Sequence, residues 1–324
     1  VVVAAREPIV TGAELNYGLD ALPHDGVPRA VTIGKFDGVH RGHRQVIKQL
    51  CSYEASLEPT VITFDRHPHT IVRPDDVPTP VVSEFQKVDL LGEAGARRVV
   101  VLPFDHRLSS LTHEAFSADV LAAGLSAAVV LVGRDFRYGN GGEGDVSTLR
   151  SEGETHGFTV EVVADYRESG GARVSSTMIR EALVSGDVTE AAELLGRYHR
   201  VRGVVGTGFQ RGRVLGYPTA NLSGDLEGVM PADGVYATFV SYRGIRYPAA
   251  TSIGVNPTFG DVSERTIESH LLDTTIDLYG EVITVEFVQF IRGMQKFPDS
   301  DALAHQMGLD EQVIRTILEA SASA

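Results

Sequence analysis

Five short runs of valine, isoleucine and leucine constrain the first half of this chain more than any other feature. They are Ala30–Ile33, Thr60–Phe64, Arg98–Leu102, Ala127–Val132 and Phe158–Val163. Near-continuous apolar runs of this length predict strands buried on both faces, as in a parallel sheet. Helices are predicted between them at His43–Ser52, Ser83–Ala94, Thr112–Ala123 and Val146–His156. This alternation predicts a doubly wound α/β domain, whose ligands bind beyond the carboxyl ends of the strands.

The pattern then changes. Two short helices are predicted at Ser176–Val184 and Val188–Leu195. From His199 to Ile291 the chain reads as strands with turn signals and no long helix: Arg200–Val205, Gly234–Tyr242, Arg246–Ile253, Thr266–Leu272 and Val282–Ile291. That spacing predicts an antiparallel barrel or sandwich. A final helix is predicted over Ser300–Ala320, with Leu303, Met307, Val313, Ile314, Ile317 and Leu318 broadly on one face and Gly308 as a point of interruption. The boundary is placed near Gly196–Arg197, giving domains of residues 1–196 and 197–324. A length of 324 residues agrees with two domains.

Composition narrows the partners. The net charge of −14 argues against a nucleic-acid backbone, which needs a basic face, but leaves room for nucleotides in a local pocket. With one cysteine, Cys51, neither an intrachain disulfide nor a thiolate zinc cluster can form, which suits the cytoplasm. Val1–Arg6 has no basic region or long apolar core, and the apolar stretch Ala127–Val132 is too short to cross a bilayer, so neither a signal peptide nor a membrane partner is expected. Oligomeric state is left open, a homo-oligomer included.

After the first predicted strand stands Gly34-Lys35-Phe36-Asp37-Gly38-Val39-His40-Arg41-Gly42-His43, leading into a helix. Glycines admit close backbone approach, and a helix N-terminus attracts phosphate. His40 and His43 lie on one side of the entering turn, where two imidazoles could stabilise charge at the α-phosphorus of a nucleotide. Beyond the second strand comes Thr63-Phe64-Asp65-Arg66-His67-Pro68, and beyond the fourth Val132-Gly133-Arg134-Asp135-Phe136-Arg137-Tyr138-Gly139. Arg173-Val174-Ser175-Ser176-Thr177-Met178-Ile179-Arg180 opens a later helix, where hydroxyls can cap and an arginine one turn on can hold phosphate.

In the second half, Gly206-Thr207-Gly208 and Gly212-Arg213-Val214-Leu215-Gly216-Tyr217-Pro218-Thr219-Ala220-Asn221 form a glycine-rich loop without a Walker motif. Thr219 and Asn221 share one side of a strand, where a hydroxyl and an amide oxygen can hold a hard cation. Asp233–Ala237, Ser252–Gly260 and Thr266–Asp273 follow, the last containing Glu268.

Together these blocks resemble bacterial bifunctional riboflavin kinase/FAD synthetase over about residues 30 to 298. The first resembles the extended HxGH signature of the adenylyltransferase domain, with Lys35 and, in the next block, Arg66 as departures. The PTAN run resembles the riboflavin kinase signature. The resemblance implies two ATP-dependent reactions, riboflavin to FMN and FMN to FAD, with Mg²⁺. It implies catalysis by His40, His43 and Arg180 in the first site. Gly34, Phe36, Asp37, Gly42, Asp135, Ser175, Ser176 and Thr177 would contact nucleotide or phosphate there, Asp135 also being a candidate for metal. Phe64, Asp65 and Tyr138 would contact the flavin. In the kinase site it implies Glu268 as base and Gly206, Gly208, Arg213, Gly216, Pro218, Thr219 and Asn221 around ATP. Thr219 and Asn221 would hold Mg²⁺ and Arg292 would meet FMN. Two rivals remain at this level: a nucleotidyltransferase for another phosphorylated alcohol, and a flavin carrier with decayed sites.

Overall fold

The computed structural model describes residues 12–72, 74–166, 171–206, 217–222, 224–256 and 264–322. The chain divides into two compact units, Val1–Ser175 and Ser176–Ala324.

The first unit is built on a sheet of six parallel strands: β1 (Glu14–Tyr17), β2 (Arg29–Ile33), β3 (Glu58–Phe64), β4 (Arg98–Leu102), β5 (Ala127–Gly133) and β6 (Thr159–Val163), in the order β1-β4-β3-β2-β5-β6. All five expected strands are present, with β1 added as an edge strand. Its pattern of Glu14, Asn16 and exposed Leu15 and Tyr17 carries no buried run that would announce it. β2 and β4 are buried along their whole length, as the unbroken apolar runs require. The order doubles back at β2: β3 and β4 lie on one side of it, β5 and β6 on the other. Chain connections diverge there, and the crevice left between them opens at the carboxyl ends of β2, β3 and β5.

The opposite edge of the sheet is sealed by charge. Arg29 is fully buried and donates to Asp25 at 2.7 Å and to the Leu125 carbonyl at 3.1 Å. Arg98 reaches Glu58, Asn16 and Glu14.

Helix α1 (Arg41–Cys51) leaves the β2 loop, α2 (Glu84–Glu93) precedes β4, and α3 (Val146–His156) precedes β6. A Ser83–Gln86 capping box starts α2, and Asp145 caps α3. The helix expected at Thr112–Ala123 is a short turn, His113–Ala115, running into a π-helical segment, Phe116–Gly124.

The second unit is a closed antiparallel barrel of β7 (His199–Gly206), β8 (Ala220–Leu222), β9 (Gly234–Tyr242), β10 (Ile245–Asn256), β11 (Glu264–Leu271) and β12 (Val282–Arg292), ordered β10-β11-β8-β7-β12-β9. Of the two architectures left open by the strand pattern, this is the barrel. Helices α4 (Ser176–Ser185) and α5 (Val188–Leu195) group with it: the Ala232 amide donates to the Leu183 carbonyl, and α5 contacts β12 and β7. The packing break thus falls ahead of Gly196–Arg197, where helical patterning gives way to strands. The final helix, α6 (Ser300–Ala322), runs through Gly308 without a break. Its Ile314 and Leu318 pack with Val235, Ala237 and Phe239 on the outer face of β9, whereas Val313 is exposed. Enough packed surface follows Gly308 to outweigh the roughly 1 kcal/mol that glycine costs a helix.

Leu131 in the centre of β5 is fully buried. Leu131→Ala is expected to lower unfolding free energy by about 2–5 kcal/mol through lost burial and a residual cavity, measured by urea denaturation.

Candidate active sites

The loop after β2 holds an unusual backbone. Phe36, Gly38 and Val39 have φ of 49°, 83° and 42°. A β-branched residue at positive φ is strained, and Val39 holds it because its side chain is completely buried. The strain delivers His40 to the N-cap of α1, where its Nδ1 accepts a hydrogen bond from the His43 amide at 3.4 Å. The two imidazoles stack with centroids 3.6 Å apart and planes at 19°, and Phe36 meets His43 edge-on at 5.1 Å. His40 is therefore both the helix cap and one member of a stacked pair. A Cβ on Gly42 would lie 3.2 Å from the His40 ring, so glycine at this position leaves the stack its room.

His43 Nδ1 is buried without a hydrogen-bond partner among the described residues. Burial holds its imidazole well below the usual histidine range, and the charges of His40, Arg173, Lys35 and Lys87 push it further the same way. At neutral pH it is an uncharged ring set among cations, ready to meet an anion.

The loops after β3 and β5 border the same crevice. Phe64 is partly buried and meets Phe104 edge-on at 5.5 Å. Asp65 accepts from Arg66 and from the Phe104 amide at 2.8 Å. Burial raises the Asp65 carboxyl, but these bonds and the Arg66 charge outweigh it and leave it below its usual value. Asp37 accepts from the Val81 amide at 2.7 Å, an anchoring contact. Asp135 is paired with Arg173 at 2.9 Å, and this bond lowers its carboxyl despite some burial. Arg173 also approaches Asp165 at 3.3 Å. Tyr138 lies in the core, stacked on Phe136 at 5.5 Å with its hydroxyl 3.4 Å from Ser117 Oγ. Phe136 is the less buried ring of that pair.

Two further charged residues were given no role by the sequence. Lys87 of α2 is buried and donates to the Phe64 carbonyl at 2.5 Å. Burial lowers its ammonium, partly offset by Asp37, Glu84 and Asp65. Arg173 is the other. Packing turns Lys87 inward, whereas Arg173 stays exposed and is held beside the loop after β5 by its pairs with Asp135 and Asp165.

Ser175 ends the first unit by contact, while Ser176, Thr177 and Arg180 open α4 in the second. Arg180 Nη2 donates to Thr177 Oγ1 at 3.4 Å.

In the barrel, Asn221 of β8 pairs with Glu268 of β11 on one side and with Gly206 of β7 on the other. Residues directly opposite in antiparallel strands point to the same face, so all three share one face of the wall. Asn221 is buried and donates Nδ2 to the Thr219 carbonyl and to Thr219 Oγ1, both at 3.2 Å. A cavity of about 360 Å³ adjoins Thr219 and Asn221, lined also by Pro218, Ser269, Asp277 and Tyr279 but not by Glu268 or Gly206. Because Asn221 turns its amide nitrogen to Thr219, its Oδ1 and a Thr219 lone pair are presented as hard oxygen donors, which fits a divalent cation carried with nucleotide phosphates. Gly208, Arg213 and Gly216 lie outside the described residues. Arg292 is committed elsewhere: it forms a two-pronged pair with Asp310 of α6 at 2.7–3.1 Å and ties that helix to β12.

Residues 23–178 match the family model for FAD synthetase, and residues 195–318 match that for riboflavin kinase. The bifunctional riboflavin kinase/FMN adenylyltransferase of Pseudomonas fluorescens is 38% identical over 311 residues, covering 95% of this chain and 99% of the relative. The chain belongs to the bifunctional riboflavin kinase/FMN adenylyltransferase family. The family member of Escherichia coli K12 is 36% identical over 302 residues, covering 92% and 95% of the two chains. A crystal structure titled as a macrolide-efflux protein from Streptococcus pneumoniae superposes with a TM-score of 0.83 at 31% identity, covering 94% of this chain and 99% of that one. Among the described residues of this family member, no helix is long and apolar enough to cross a membrane.

The buried position of His43 has a measurable consequence. Histidine ring shifts followed by NMR in the ligand-free protein should show His43 still neutral at pH 6.5, where a free imidazole is half protonated. A midpoint at or above that value would contradict the packing described.

Proposed function

We infer that the chain carries out two successive ATP-dependent reactions in separate units. It is a riboflavin kinase and an FMN adenylyltransferase. In the second unit the riboflavin 5′-hydroxyl takes the γ-phosphoryl group of ATP, giving FMN and ADP. In the first, an FMN phosphate oxygen attacks the α-phosphorus of ATP, giving FAD and pyrophosphate.

The observation that carries the kinase assignment is the ladder pairing of Glu268 with Asn221. It sets a carboxylate beside the Thr219–Asn221 pair, and the two functions needed there are a proton acceptor and a holder of the phosphates. We assign Glu268 as the general base for the 5′-hydroxyl, which keeps its proton at neutral pH and needs an acceptor as it reacts. Thr219 and Asn221 would hold Mg²⁺, which screens the charge of the ATP phosphates. Pro218 and Gly206 border the same nucleotide, and the described part of this wall supports those roles. Glycine-loop roles for Gly208, Arg213 and Gly216 rest on the motif.

The adenylyltransferase reaction needs no base, since its nucleophile is already anionic. It needs charge stabilisation at the α-phosphorus, which we assign to His40 and His43 as preorganised donors. The stacked pair at the helix N-terminus supports this. Gly34 and Gly42 give the backbone its close approach, and Phe36 buttresses His43. Phe64 and Asp65 border the flavin, with Phe136 more accessible to it than Tyr138. Asp135, held by Arg173, is assigned to the nucleotide. The phosphate roles of Ser175, Ser176, Thr177 and Arg180 rest on the motif, and so does any flavin contact by Arg292. A cytoplasmic location agrees with the single cysteine.

Glu268→Gln should lower FMN formation from riboflavin by about 10²-fold or more while leaving conversion of supplied FMN to FAD intact. His43→Ala should do the reverse and accumulate FMN. Chromatography of flavins after incubation with ATP and Mg²⁺ reads both. Loss of both activities in either folded variant would sink the two-site assignment.

A further inference from the structure

β8 is only three residues long, and its backbone ladder with β11 ends at the Ser269–Ala220 pair. Pro218, two residues before β8, has no N–H with which to extend a ladder. A side chain takes over where the ladder stops: His270 Nδ1 lies 2.9 Å from the Pro218 carbonyl oxygen. A carbonyl only accepts, so the proton of this bond sits on Nδ1 and His270 donates it. The Tyr217 ring meets the same imidazole edge-on at 5.1 Å.

The location gives this bond a consequence. Ile267, Ser269 and Leu271 are buried, so Glu268 and His270 share the opposite face of β11. β11 is also laddered to β10, where Ala250 pairs with His270, so the imidazole is carried on a well-held strand. Pro218, Thr219 and Asn221 line the cavity of about 360 Å³, whereas His270 does not. Asn221 Nδ2 holds the carbonyl and hydroxyl oxygens of Thr219. The two peptide groups that flank Thr219 are therefore each held by a side chain, the one before it by His270 and the one after it by Asn221. The backbone angles of Thr219 are set from both sides, and with them the direction of its hydroxyl.

We propose that His270 is a positioning residue of the kinase reaction: its Nδ1–H holds the Pro218 carbonyl and so aims the Thr219 hydroxyl at the cation and phosphates of ATP. The proposal rests on the reading that this wall binds ATP with Mg²⁺. His270 acts through Thr219 and touches no substrate. Its geometry separates a hydrogen-bonding role from a packing one. Asparagine carries its amide N–H as far from the backbone as Nδ1 does, whereas glutamine carries its own where Nε2 would be.

Riboflavin phosphorylation would be measured on the full chain for wild type, His270→Phe, His270→Gln and His270→Asn, varying ATP and riboflavin in turn at excess Mg²⁺. Conversion of supplied FMN to FAD by the same samples reports on the first unit, and thermal unfolding on the second. His270→Phe keeps a ring beside Tyr217 but removes the donor, and is expected to raise KM for ATP about five- to tenfold, the loss of one hydrogen bond. KM for riboflavin should stay nearly unchanged. His270→Gln should match His270→Phe, and His270→Asn should recover most of the loss. If His270→Phe does not fold, the contrast between His270→Asn and His270→Gln decides. Equal impairment in those two variants overturns the proposal, as does an unchanged KM for ATP in His270→Phe or a rise confined to riboflavin. A wild-type protein that converts FMN to FAD but makes no FMN overturns the underlying reading, and the role of His270 with it.

Discussion

Parallel strands that leave β2 in opposite directions create the opening on which the first site depends. A sheet wound one way only would cover its carboxyl edge with successive connections. Here the loops after β2, β3 and β5 part at the switch point and leave their backbone groups and side chains facing one crevice. The buried Arg29 and Arg98 clusters close the other edge. Chemistry is thereby restricted to one end of the sheet, and residues far apart in sequence, such as His43, Asp65 and Asp135, come to border it. The positive backbone angles at Phe36 and Val39 are the local cost of bringing the chain from strand to helix with both histidines in stack.

Barrel closure plays the corresponding part in the second unit. Once six antiparallel strands close, the register of each is set by both neighbours. β8 is three residues long, yet it is held between β7 and β11, and this places Asn221 opposite Glu268. The barrel is further braced by α6, through apolar contacts on β9 and the Arg292–Asp310 pair. Arg292 reads as a flavin contact from the motif, and in the fold its guanidinium pairs with a buried carboxylate on a helix whose approach the sequence does not reveal.

The two sites were legible to different depths. Apolar runs announced β2 to β6 because strands buried on both faces tolerate few polar residues. β1 was missed because it is an exposed edge, and β8 shows no periodic run because it is only three residues long, its strand character being read from the Thr219–Asn221 spacing alone. Gly308 read as a break, yet contacts beyond it carry the helix through. Tyr138 read as a ligand-facing ring after a strand, but the turn carries it into the core and leaves Phe136 nearer the surface. Lys87 was invisible as a site residue because charged side chains on helices usually face water, and Arg173 because its partner Asp135 lies 38 residues away in sequence.

By itself, the sequence determined a parallel α/β unit followed by an antiparallel β unit, and the residue types at each strand end, because periodicity and short motifs are local properties; closure of the second unit into a barrel was decided by the fold. Tertiary structure alone decided which of those residues meet: the stacking of His40 on His43, the opposition of Glu268 and Asn221, the approach of His270 to Pro218, and the division of the chain ahead of α4. These are contacts between segments distant in sequence or held in strained turns. Their energies come from burial and pairing that exist only once strands have chosen their neighbours.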